Sequence, residues 1–130
     1  MEVMLAQAPN LPPALERVAT TPVLASERPA GFTHVRITRL GADRRLHTLG
    51  GVRIDFSNSH GSESASYALM RTHAAAGRLA QREATVKTGG LFRTRAVAVG
   101  RFAVGVTAAT RAGAKALLAL ALAHLRRSER

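Results

Sequence analysis

A chain of 130 residues, 46% apolar and only 4% aromatic, suits one domain with a modest core of Ala, Val, Leu and a few Phe, and excludes wholesale disorder. The absence of Cys excludes a disulfide framework and a thiolate metal site. A formal net charge of +11 invites a nucleic-acid partner, but 17 of the 19 basic residues are Arg in an Ala-rich chain, the composition of a high-GC bacterial coding sequence, so part of the charge is compositional.

The start, "MEVMLAQAPNLPP", has no basic n-region and too short an apolar stretch for a signal peptide. As written it reads as cytoplasmic. Ala6-Gln7-Ala8 has the small-x-small form of a cleavage site, so an exported protein is the reading if the true start lies upstream of Met1. No membrane span is expected: the longest apolar run, Ala116 to Ala123, is far short of the roughly 20 residues that a span needs.

All five prolines, Pro9, Pro12, Pro13, Pro22 and Pro29, fall in the first 32 residues. Residues 1–32 therefore read as an irregular arm, with one short helix from Pro13 to Val18 opened by proline at its first turn. A single compact domain is expected over residues 33–127. "THVRITRL" alternates, with Val35 and Ile37 on one face, and predicts a half-buried strand. "GADRR" is a turn, and "LHTLGGVRIDF" a second strand with Val52, Ile54 and Phe56 inward and a bulge or bend at Gly50-Gly51. Residues 62–80 suggest a helix with the stripe Ala65, Ala68, Leu69, Ala76 and Leu79. Residues 81–90 are a connection carrying a short strand candidate, "ATVKT". "LFRTRAVAV" and "RFAVGVTA" form a hairpin whose Gly100-Arg101 suits a type II′ turn. Thr110 or Thr107 caps a last helix, Arg111 to Arg127.

The expected fold is α+β: two β-β-α units form a four-stranded antiparallel sheet with two helices on one face, preceded by the Pro-containing arm. Val35, Ile37, Val52, Ile54, Phe56, Val97, Val99, Phe102, Val104 and Val106 face the helices. The other face carries Arg36, Arg53, Asp55, Arg93 or Arg95, and Arg101.

"SNSHGSESASY", residues 57–67, raises the question of a nucleophile. A strand, a sharp turn with an exposed serine and a helix make a hydrolase elbow, but Ser62 and Ser66 stand where small flanking glycines are needed, and after Ser64 the only acids are Glu83 and Glu129. The reading is therefore structural: "SNSHG" is a turn, Ser62 an N-cap and Glu63 a first-turn acid at the positive end of a helix. His34, His47, His60 and His73 recur every thirteen residues, yet on different elements. His34 and His47 are the one pair that could meet, across the first hairpin, and no metal site is expected. Gly50-Gly51 and Gly89-Gly90 lack a following Lys-Ser or Lys-Thr, so they do not suggest a phosphate loop. The eight acids are too dispersed for paired acid/base work. No catalytic residue and no cofactor is assigned.

The last helix carries Leu117, Leu118, Leu120, Leu122 and Leu125 around most of its circumference. Leu118, Ala121, Leu122 and Leu125 serve the sheet. Leu117 and Leu120 point elsewhere, either onto the first helix or into a homodimer contact. The leading expectation is thus a small non-catalytic bacterial domain that binds a ligand or protein partner. The alternative is a nucleic-acid-binding module using Arg36, Arg53 and Arg101 on the sheet face, although exposed aromatics for stacking bases are missing.

Overall fold

The computed structural model describes residues 10–84 and 92–130. The strand candidate "ATVKT" beyond Ala84, Gly89-Gly90, Leu91 and Ala6-Gln7-Ala8 lie outside them. Among the described residues the elements are α1 (Pro13–Thr20), a short 3-10 turn (Ala25–Glu27), β1 (His34–Leu40), β2 (Thr48–Asn58), β3 (Gly61–Met70), α2 (His73–Ala84), β4 (Arg93–Val99), β5 (Phe102–Ala108) and α3 (Arg111–Ser128). The class is α+β, and the strands form one antiparallel sheet in the order β1-β2-β3-β5-β4.

The sheet has five strands rather than four, because the helix expected over residues 62–80 is divided. Residues 61–70 form β3, and only residues 73–84 are helical. Ala65, Tyr67 and Leu69 are buried at alternate positions, whereas Ser64, Ser66 and Ala68 between them are not. That is a period of two, which the many small residues disguise. Asn58 closes the β2–β3 hairpin: its Oδ1 accepts from the backbone N–H of His60 at 2.8 Å and of Gly61 at 2.9 Å.

A second correction concerns the layers. α1 and α3 lie on one sheet face, but α2 lies on the other. The first core contains Leu15 and Val18 of α1, Val52, Ile54 and Phe56 of β2, Ala65, Tyr67 and Leu69 of β3, Phe102, Val104 and Val106 of β5, and Ala114, Leu117 and Leu125 of α3; Val35, Ile37, Val97 and Val99 pack against it. A smaller cluster under α2 joins Met70, Ala76, Leu79, Ala80 and Ala103, with Ala68, Ala96 and Ala98 beside it. Alanines on this sheet face let α2 approach closely. α2 therefore covers β4, β5 and part of β3 on this side, and among the described residues leaves β1 and β2 uncovered by a helix there.

The remaining local expectations resolve in detail. Pro13 opens α1 at its first turn. The β2 register shifts between Thr48 and Gly50, and Gly50 has φ +149°; a Cβ there would lie 3.2 Å from Leu15 Cδ1, so both the bulge and the α1 contact select glycine. Gly100 has φ +57° at the β4–β5 turn, the sign that the first position of a type II′ turn needs. Thr110, not Thr107, caps α3, its Oγ1 accepting from Gly113 N at 2.9 Å. Ser62 and Glu63 lie in β3 rather than at the start of a helix; the Glu63 carboxyl lies instead by the first turn of α3, where a Cβ on Gly113 would be 3.6 Å from its Oε2. The buried stripe of α3 is Ala114, Leu117, Ala121, His124, Leu125 and Ser128, rotated from the expected one. Leu117 is 1% exposed, and Leu120, partly buried, packs against the same core. No described helix is long and apolar enough to cross a membrane.

Candidate ligand groove

The face opposite α1 and α3 is only partly covered. Leu40, Gly51 and Ala68 are directly opposed across β1, β2 and β3, so they form one row on this face. α2 reaches over β4, β5 and part of β3 and brings Leu79 to the edge of the row. Between α2 and the β1–β2 loop is a groove of about 760 Å³ whose floor and walls include Leu40, Ala42, Leu46, Gly51, Ala68 and Leu79. Among the described residues the exposed large apolar side chains are Leu24, Leu40, Leu46 and Phe92, and two of those, Leu40 at 39% and Leu46 at 40%, converge here.

The loop that forms one wall is tied down by its own polar groups. Asp43 and Thr48 exchange backbone bonds at 3.3 and 3.0 Å, and the Asp43 N–H also donates to Thr48 Oγ1 at 2.9 Å. Asp43 Oδ1 accepts from Arg45 N at 2.9 Å, and His47 N donates to Arg44 O at 3.2 Å. His47 closes the turn at φ +60°, a left-handed conformation that few side chains adopt. The result holds Arg44, Arg45 and Leu46 outward on a short closed loop, with Arg82 of α2 on the same groove lining. On the other side of Leu46 a smaller hollow of about 120 Å³ adds Arg78.

The inner end of the groove carries Ser66 and Glu83. Glu83 is half-buried over β5. A Cβ on Gly105 would collide with its Oε2, so glycine at this strand position is what admits the carboxyl to the sheet surface. Burial pushes the Glu83 pKa up, because the low-dielectric setting disfavours the ionised form. Beyond Glu83 the open face continues as a hydroxyl-lined strip of Ser64, Ser66, Thr94 and Thr107.

The arginines proposed from sequence are only partly brought together. Arg36 opposes Asp55, and Thr38 opposes Arg53, so Arg36 and Arg53 share the open face. Arg53 Nε donates to Asp55 Oδ2 at 3.1 Å, which engages part of that charge. Arg101 stands instead in the β4–β5 turn at the end of the sheet, where its carbonyl accepts from Met70 N at 2.8 Å. Arg93 opposes Ala108 and Arg95 opposes Val106, which places both on the α3 side of β4, not on the open face.

Ser64 lies inside β3 between Asp55 and Thr107, with a hairpin before it rather than an elbow. His34 opposes Ser57 at one end of the first hairpin, and His47 lies in the loop at the other end, so they do not meet. His73 Nδ1 is 2.6 Å from Gly100 O. Among the described residues no group of three or more His, Cys, Asp or Glu is placed to hold a metal ion.

Two residues carried little sequence signal of their role. His124 is 2% exposed, with Nδ1 2.9 Å from Glu27 Oε1 and Nε2 3.1 Å from Val18 O. Tyr67 is buried in β3 and donates its hydroxyl to Ala121 O at 2.8 Å. A spacing argument could have found His124, since it follows Ala114, Leu117 and Ala121 on one helix stripe. Nothing local points to Glu27 as its partner. Comparison with protein-family models, curated proteins and solved structures finds no match to this chain.

Proposed function

We propose that this chain is a small non-catalytic α+β domain that binds a ligand or a segment of a protein partner in the groove between α2 and the β1–β2 loop. The observation that carries the reading is the pair Leu40 and Leu46, left uncovered on a groove with an apolar floor while the rest of the large apolar side chains of β1–β3 are packed. A volume near 760 Å³ lies in the range of small-molecule sites, and such sites combine apolar walls with a few polar groups. The wall loop is preorganised by its internal hydrogen bonds, which lowers the ordering cost of binding. Titration with the neutral dye Nile red tests it. Saturable binding that is lost in Leu46→Gln, with an unchanged far-UV spectrum, is expected; no binding to the folded wild-type protein would overturn it.

The alternative, a nucleic-acid-binding module using the arginine-bearing sheet face, is favoured by Arg36 and Arg53 standing on one open face. Arg101 would have to act from a separate end of the sheet. A homodimer would need a surface other than Leu117, which the core already occupies.

A further inference from the structure

We infer that the occupant of this groove is a small single-chain amphiphile with an anionic head, such as an alkyl carboxylate or alkyl phosphate, whose tail lies on the Leu40–Gly51–Ala68 row and whose head meets Arg44 and Arg45. The inference rests on the groove reading above and adds the chemical class.

The shape of the floor carries the first half. Leu40, Gly51 and Ala68 make a row running across three strands, and Leu46 and Leu79 line the same groove. A strip of apolar surface running across three strands accommodates an unbranched chain. The row offers no side-chain donor or acceptor, so a polar body laid along it would lose hydrogen bonds to water without replacement.

Charge carries the second half. Three guanidinium groups, Arg44 and Arg45 from the loop and Arg82 from α2, line the same groove from two different elements. Of the two acids there, Asp43 is occupied in the loop, accepting from Arg45 N and lying 3.8 Å from Arg45 Nε. Glu83 sits at the inner end of the groove, half-buried over β5. The mouth therefore presents net positive charge next to apolar surface, and guanidinium groups match carboxylate and phosphate oxygens in geometry.

The test uses the full chain and two dansyl-labelled probes, undecanoic acid and its methyl ester, with dodecyl phosphate as competitor, all at submicellar concentration. The acid is expected to bind about tenfold more tightly than the ester or better, as for charge-assisted hydrogen bonds to a carboxylate. Dodecyl phosphate should displace it. Arg44→Gln/Arg45→Gln, two exposed positions, should remove the preference, so that acid and ester bind alike. Equal binding of acid and ester would overturn the anionic-head inference and leave the groove reading in place. Binding of neither probe, with Nile red still bound, would overturn the single-chain inference alone. Failure of all three would remove the groove reading itself.

Discussion

His124 and Glu27, 97 residues apart in the chain, meet side chain to side chain at 2.9 Å in the interior. Arg127 completes the cluster, donating from Nε and Nη2 to the two Glu27 oxygens at 2.7 and 2.8 Å and from Nη2 to Pro22 O. Leu24 N adds a fourth donor to the carboxylate at 3.1 Å. The imidazole faces an acceptor at each nitrogen, the Glu27 carboxylate and the Val18 carbonyl, so both bonds form only when both nitrogens carry protons. This cluster fastens the segment after α1 to the C-terminal end of α3. Replacing Glu27 with Gln should destabilise the protein by about 3–5 kcal/mol, because it removes the buried carboxylate that Arg127 and His124 share. Urea unfolding measures it, and an unchanged midpoint would refute the structural role.

The same carboxylate sets a pH dependence. Arg127 first, then His124, holds the Glu27 pKa down at about 2, against an ordinary value of 4.5. A depressed acid pKa stabilises the folded state fully above the unfolded value and loses that contribution as pH falls from about 4.5 towards 2. A shift of this size corresponds to on the order of 3 kcal/mol. Glu16, lowered by Arg39, adds to the loss in the same direction. Stability measured from pH 6 down to pH 2 should fall steeply in wild type and less steeply in Glu27→Gln.

Phe102, with Val52, Phe56, Val104 and Leu69, belongs to the larger core, and Leu118 packs at its margin. Phe102→Ala should cost roughly 3–5 kcal/mol, the transfer of the ring plus the cavity it leaves. Thermal melting reads this directly; an unshifted melting temperature would place Phe102 outside the core.

Glu83 and Gly105 make a coupled pair. Gly105→Ala should drive the Glu83 carboxyl off the sheet face, since the new methyl occupies its position. Its pKa, now raised by burial, should then fall towards the ordinary carboxylate range. Carboxyl-carbon NMR titration of wild type and variant is the measurement, and identical titration curves would contradict the geometry.

Ser64, inside a strand and without a partnered base, should not react with a serine-directed fluorophosphonate. Intact-mass analysis showing stoichiometric labelling at Ser64 would make the chain a hydrolase candidate.

Nucleic-acid binding, on the groove reading, should be weak, non-specific and screened, falling by orders of magnitude between about 50 and 200 mM salt if several phosphates are contacted. Sub-micromolar binding of single- or double-stranded probes that survives at about 150 mM salt, and is lost in Arg36→Ala, Arg53→Ala or Arg101→Ala, would replace the groove reading with the nucleic-acid one.

The alternation of Val35 and Ile37, of Val52, Ile54 and Phe56, and of Phe102, Val104 and Val106 was legible because β-branched and aromatic residues at period two have one sensible use. The proline-opened α1, the glycine turn at residue 100 and the Thr110 cap were legible for the same kind of reason: each rests on backbone geometry within a few residues. β3 was not. Its Ser and Ala residues fit helix and strand alike, and only pairing with both β2 and β5 selects the extended form. That pairing also sent α2 to the opposite face and opened the groove. Leu40, Leu46, Arg44 and Arg82 are single unremarkable positions in the chain, as are Glu27 and His124. Their meeting is decided by long-range packing, because no local preference encodes which side of a sheet a helix will cover.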